Sequence, residues 1–303
     1  MKLAIIAAIT LALVLGGCAG SPEPDSDWQY AVATFYPFYD IARNVGGEKM
    51  KVFPLVPNGV EPHDYEATPG DIQRVNSAKA FITTGLEFSE YEHKVIEGLD
   101  RDVVAIDASR GISLIEAEQT QGASGPEGNH GRYDPHIWVS VRNAMKITAN
   151  VRDGFIQADP QNAQVYAENA QKYTTQLEAL DMEFSARLSN CEKDAVLTSH
   201  AAFSYLARDY GFGQIPLLGL SPESEPTSGQ IKKLVDEARK NDVKYIFYEE
   251  LVDPRIAQTI ASEVGAQTLV LSPVEGSAVT SDDYISIMRK NLSSLEVALE
   301  CRK

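Results

Sequence analysis

Short apolar runs recur along this chain, separated by segments of helical period. Tyr30–Tyr36 (YAVATFY), Lys51–Val56, Ala80–Thr84 and Val103–Ile106 are β-branched or aromatic runs bounded by turn residues, the pattern of buried strands. Helical segments lie between them, including Pro69–Ser77. A second set follows, with strands expected at Asp194–Thr198, Gln214–Leu218, Tyr245–Tyr248 and Thr268–Leu271. Its helices fit at Ala201–Tyr210, Ser228–Asn241, Asp253–Val264 and Asp282–Ala298. Alternating strands and helices predict α/β layers with mainly parallel sheets. No direct sequence repeat relates the two halves.

The longest helical stretch separates these halves. Asp159 can cap it, Pro160 fits its first turn, and it runs to about Ser189. Val165, Tyr166, Ala170, Tyr173, Leu177, Leu180, Met182 and Phe184 form an approximate apolar stripe along it. About 30 residues at ~1.5 Å each span roughly 45 Å, enough to cross a domain. The expected architecture is therefore two α/β lobes joined by one long helix. Residues 117–133 (AEQTQGASGPEGNHGRY) lack an apolar period and are rich in Gly, Gln and Ser, which predicts a mobile loop.

The amino terminus has a different pattern. Lys2 precedes an apolar run, Leu3–Leu15, that is too short to cross a bilayer. Leu15-Gly16-Gly17-Cys18 then matches the cleavage box of a prokaryotic lipoprotein. Residues 1–17 read as a signal peptide and Cys18 as the lipid-bearing residue. Residues 19–27 (AGSPEPDSD) are a polar tether. The remaining chain, about 286 residues, suits two modest domains or one large one. Its segments read as tether 18–27, first lobe 28–158, connecting helix 159–190 and second lobe 191–303.

At 44% hydrophobic the chain can bury a sizeable core. The formal net charge of −16 argues against nucleic acid or anionic lipid headgroups as partners and is compatible with attracting cations. With Cys18 lipidated, Cys191 and Cys301 remain, and an exported pair favours a disulfide.

Of five histidines, three share a setting. His63 sits in a Pro/Gly loop after a strand. His136 lies in Asp134-Pro135-His136-Ile137-Trp138, between the expected mobile loop and a helix. His200 follows the strand Ala195–Thr198. Ligand sites of open α/β sheets gather at the carboxyl ends of strands, and imidazole is the commonest biological metal ligand. These three predict a metal site. His93 falls on an exposed helical face, and His130 sits alone in the loop.

Here the chain resembles a known family, the metal-binding receptor lipoproteins of ABC importers, in the zinc and manganese branch. The resemblance rests on VATFYPFYDIARNVGG (32–47), VPNGVEPHDYEATPGDIQ (56–73), DPHIWVS (134–140), LTSHAAFSYLARDYG (197–211) and YIFYEELVDPRIAQTIASEVGAQTLVLSPVEG (245–276). It implies two lobes joined by a rigid helix, with metal in the cleft on His63, His136 and His200 and a carboxylate from the second lobe. Many members have an aspartate where this chain has Ser272, and some zinc receptors use the glutamate three residues on, here Glu275. Ser272, Glu275 and a water are the open choices for the fourth ligand.

Three imidazoles and a carboxylate suit zinc, whereas manganese prefers more oxygen. Asp64 and Asp134 are candidates to hold the second ring nitrogens. The expectation is a monomeric extracytoplasmic zinc receptor, anchored outside the membrane, serving an ABC permease and its ATPase. A manganese receptor of the same fold is the nearer alternative; a zinc hydrolase or a surface adhesin is more remote. Neither His-Glu-x-x-His nor Gly-x-Ser-x-Gly occurs, so no enzyme is expected.

Overall fold

The computed structural model describes residues 29–86, 88–117, 132–220, 222, 227–276 and 282–302. The signal peptide, Cys18, the tether and His130 lie outside them, as do residues 118–131 of the expected loop. At that loop's base, Glu116 and Tyr133 pair as an antiparallel bridge.

Each half carries a four-stranded parallel sheet. The first comprises β1 (Tyr30–Ala33), β2 (Lys51–Pro54), β3 (Ala80–Thr83) and β4 (Val104–Asp107), in the order β2-β1-β3-β4. The second comprises β5 (Ala195–Thr198), β6 (Gly213–Pro216), β7 (Tyr245–Tyr248) and β8 (Gln267–Val270), in the order β6-β5-β7-β8. The halves thus share a topology that their sequences do not display. β1 and β3 are buried at every residue, as expected of strands covered on both faces. Several predicted strands extend two residues beyond the assigned ends, and the hydrogen bonds explain why. Leu55 and Val56 still donate to Ala33 and Thr34, and Leu217 and Leu218 to Thr198 and Ser199.

The helices are α1 (Tyr36–Gly46), α2 (Pro69–Asn76), α3 (Glu90–Glu97), α4 (Val141–Ala158), α5 (Ala163–Arg187), α6 (Ser204–Tyr210), α7 (Ser228–Lys240), α8 (Arg255–Val264) and α9 (Tyr284–Ala298). The long connecting helix is α5, preceded by a 3-10 turn at Pro160–Asn162. Its 25 residues span about 37 Å. Its buried residues are Tyr166, Ala170, Tyr173, Leu177, Leu180 and Phe184, a 4-3-4-3-4 spacing that keeps one face inward. Met182 falls off that stripe and is 65% exposed, contrary to expectation, and Val165 is half-buried. Asp159 does not cap the helix. Its carboxylate accepts from Asn162 Nδ2 and Tyr166 OH, both at 2.7 Å, which closes the turn between α4 and α5.

Packing ties the halves together. One large core runs from the first sheet through α4 and α5 to α6 and α9; a smaller one lies between the second sheet and α7 and α8. The buried Asp40 of α1 accepts from Tyr173 OH of α5 (3.3 Å) and from Tyr284 N of α9 (3.2 Å), and pairs with Arg43 (2.6 Å). One carboxylate therefore fixes the last helix to the first and to the connecting helix.

Cys191 and Cys301 form a disulfide across 110 residues, pinning the chain end to the start of the second half. In the chain-entropy model a loop of this size contributes a little under ~5 kcal/mol. Thiol titration of denatured, unreduced protein is therefore expected to find no thiol at either position, and reduction to lower the melting temperature. Two reactive thiols would contradict the pairing.

Candidate metal centre

Four side chains from separate segments converge at the carboxyl ends of the sheets. His63 lies in a 3-10 turn, Pro62–Asp64, shortly after β2. Glu61 starts that turn by accepting from His63 N (3.2 Å), and the Phe88 ring packs on the imidazole with centroids 4.4 Å apart. His136 precedes a second 3-10 turn, Ile137–Val139, that leads into α4. His200 lies two residues beyond β5, and Glu275 lies in the turn after β8.

Each of His63, His136, His200 and Glu275 offers one donor atom, and these atoms all lie within 4.8 Å of one another. Glu275 Oε1 is 3.6 Å from His63 Nε2, 3.7 Å from His136 Nε2 and 4.0 Å from His200 Nε2. His136 Nε2 and His200 Nε2 are 3.4 Å apart. Tetrahedral zinc with ~2.0–2.1 Å bonds requires donors about 3.3–3.4 Å apart, so these four pairs need to close by no more than about 0.7 Å around an ion. All four side chains are almost fully buried. Both Glu275 carboxylate oxygens lack a hydrogen-bond partner among the described residues. A buried carboxylate without hydrogen bonds requires a cation or a proton.

Second partners orient two of the rings. Asp134 Oδ1 accepts from His136 N (3.0 Å) and from Nδ1 (2.9 Å), and the Asp134 carbonyl accepts from Tyr205 OH (2.7 Å). Glu249, just beyond β7, accepts from His200 Nδ1 (2.6 Å) and from Ser199 Oγ. With Nδ1 donating to its carboxylate, Nε2 is the atom each ring turns to the centre, able to bind an ion once it carries no proton. Asp134 was expected in this role, whereas Asp64 is exposed. Glu249 was not foreseen, although an acidic residue at a strand exit obeys the rule that singled out the histidines. Ser272 stands apart from the donor set: its Oγ accepts from Val274 N, and its backbone pairs with the Asn291 side chain. His93 is an exposed residue of α3 beside Glu97.

The electrostatics follow from burial among charges. Burial disfavours charge on His200, but the Glu249 carboxylate, with Glu275 and Glu61 behind it, lifts its pKa to about 9. Burial pushes Glu275 up to about 7 against the opposing pull of His200 and His136. For His136, burial outweighs Asp134 and lowers the pKa. Glu61 is pushed up to about 8 by burial and then by Glu275.

A buried, nitrogen-rich cluster of four candidate donors between two parallel-sheet lobes, braced by one long helix, is the arrangement of a cleft-type metal-binding protein. The family model described as zinc-uptake complex component A, periplasmic, matches residues 31–298, and the chain belongs to this ZnuA family. The high-affinity zinc uptake system protein ZnuA of Bacillus subtilis is 35% identical over 92% of this chain and 90% of its own length. The zinc-binding lipoprotein AdcA of Streptococcus pneumoniae is 33% identical over 97% of this chain, which spans only 60% of that relative. The crystal structure of the Zn(II)-bound ZnuA-like domain of AdcA superimposes with a TM-score of 0.75 at 31% identity, covering 90% of this chain and 99% of that domain.

Loading such a site must displace protons. His200 retains its proton up to about pH 9, so below that pH an entering metal ion expels it, and below about pH 7 the Glu275 carboxyl competes as well. Affinity is therefore expected to rise about tenfold per pH unit between about pH 7 and pH 9, more steeply below, and to level off above. Calorimetry at about pH 8 in buffers of differing ionisation enthalpy should detect release of about one proton per zinc. Affinity that is flat across this range, or no proton release, would contradict the assignment.

Proposed function

We propose that this chain is the extracytoplasmic receptor of an ABC-type zinc importer. It captures one zinc ion with His63, His136, His200 and Glu275 and delivers it to a membrane permease powered by an ATPase. The observation that carries this reading is the convergence of three imidazoles on a buried carboxylate with no hydrogen bond among the described residues. Nitrogen-rich, near-tetrahedral donors favour zinc over manganese, which prefers more oxygen. Four protein donors also fill the tetrahedron, leaving no position for the activated water a zinc hydrolase needs. Zinc uptake by the Bacillus subtilis relative and zinc binding by AdcA support the same cargo.

The anchor belongs to this proposal. Lipidated Cys18 and the tether through residue 27 hold the receptor at the outer face of the membrane as a monomer. The proposed division is residues 28–158 for the first lobe, 159–190 for the connecting helix and 191–303 for the second lobe. Among the described residues no helix is long and apolar enough to cross a membrane.

Elemental analysis of protein purified without added metal, followed by competition, tests the cargo. One zinc per chain is expected, with manganese displaced by stoichiometric zinc. Glu275→Ala should weaken zinc at least about tenfold, the scale on which losing a supporting group already acts at metal sites; Ser272→Ala should change it little. Manganese retained against zinc, or the two variants equal, would contradict the reading.

A further inference from the structure

The turn that carries Glu275 is held from across the cleft. Trp138 Nε1 donates to the Pro273 carbonyl at 2.7 Å, in a fully buried contact. Trp138 lies two residues after His136, and Pro273 two residues before Glu275, so this bond links a donor segment of one lobe to one of the other. The indole has little freedom. Phe35, Phe38 and Phe88 meet it edge to face at centroid distances of 4.9, 5.7 and 5.4 Å. Its own carbonyl accepts from Tyr284 OH at 2.7 Å. One rigid side chain thus sets the position of a backbone carbonyl in the opposite half.

The turn it holds is strained. Val274 has φ +63°, in the left-handed region, where a β-branched side chain crowds its own backbone. Its side chain is nonetheless fully buried. On the near side the turn is tied down locally, because Ser272 exchanges hydrogen bonds with Asn291 (2.8 and 2.7 Å) and accepts from Val274 N (3.2 Å). On the far side Gly276 lies in ordinary contact with the other lobe's loop and close to Leu251 of its own lobe: a Cβ there would lie 3.5 Å from Gly59 N and 2.8 Å from Leu251 Cδ1. Strain at a non-glycine residue persists only where its surroundings over-determine it, and such residues cluster where a ligand is clamped.

We propose that Trp138 is a positioning residue for the metal site. Its indole N–H latches the strained Ser272–Gly276 turn and thereby presents Glu275 as the fourth donor. Separation of the lobes breaks the latch, Val274 relaxes out of the left-handed region, and Glu275 withdraws from the ion. Release then begins with the carboxylate, while the three imidazoles remain in place. This proposal rests on the reading of His63, His136, His200 and Glu275 as the zinc donors.

The test is the rate of zinc release from the full chain to a chromophoric chelator, measured by stopped flow alongside affinity by competition. Trp138→Phe keeps most of the ring and removes the N–H; it should speed release about tenfold while stoichiometry stays at one zinc. Val274→Gly removes the strain, because glycine adopts positive φ freely. It should slow release, and in the Trp138→Phe background should recover at least a threefold slowing. Should Trp138→Phe fail to fold, benzothienylalanine at position 138, an isostere without the N–H, makes the same measurement. Unchanged release on loss of the N–H, or faster release with Val274→Gly in both backgrounds, overturns the latch. Glu275→Ala separates the two readings. If it speeds release while loss of the N–H does not, the latch alone falls; if it leaves release unchanged, the donor assignment falls and the latch with it.

Discussion

A carboxylate confined among three imidazoles, with neither oxygen hydrogen-bonded among the described residues, is the constraint around which the cleft is arranged. Glu275 is buried where an isolated negative charge is costly to hold. Burial lifts its pKa to about 7 against the pull of His200 and His136, so near neutrality the metal-free site can offset the cost by protonation. A divalent ion offsets it more completely, because it satisfies the oxygen and the three Nε2 lone pairs together. Asp134 and Glu249 belong to the same arrangement. Each holds an imidazole in the orientation that points its Nε2 inward, and each adds negative charge close to the ion.

The fold makes this convergence inexpensive in conformational entropy. Two sheets of identical strand order present their carboxyl ends to a common cleft, so short exits after β2, β5 and β8 supply three of the four donors. The connecting helix and the Asp40 hydrogen bonds to Tyr173 and Tyr284 lock α1, α5 and α9 into one body. The lobes are therefore held near the geometry the ion requires before it arrives. Preorganisation of this kind raises affinity by reducing what must be ordered on binding. The Trp138 contact with Pro273 acts at the finer scale of a single turn.

What the sequence disclosed follows the range of each interaction. Strands were legible because apolar runs record local burial. His63, His136 and His200 stood out because strand exits are local features too. Glu275 emerged through resemblance, since no local pattern in Ser272-Pro273-Val274-Glu275-Gly276 says which side chain bends back into the cleft. Val274 at positive φ, a conformation a β-branched residue rarely adopts, is what turns it. Glu249 escaped notice because its partner His200 is 49 positions away and only pairing of β5 with β7 brings them together. Met182 and Asp159 were misread for a related reason. An approximate stripe tolerates one misplaced apolar residue, and an Asp before a Pro looks like a cap even where Tyr166 claims its carboxylate.

The donor set of three imidazoles and one carboxylate is tested most directly by X-ray absorption at the zinc edge of the loaded protein. Three imidazole nitrogens and one carboxylate oxygen should appear at about 2.0–2.2 Å, in a four-coordinate shell without sulfur. His136→Ala should reduce the imidazole scattering by one ring. A shell of five or six light atoms, or one whose imidazole count is unaffected by His136→Ala, would contradict it.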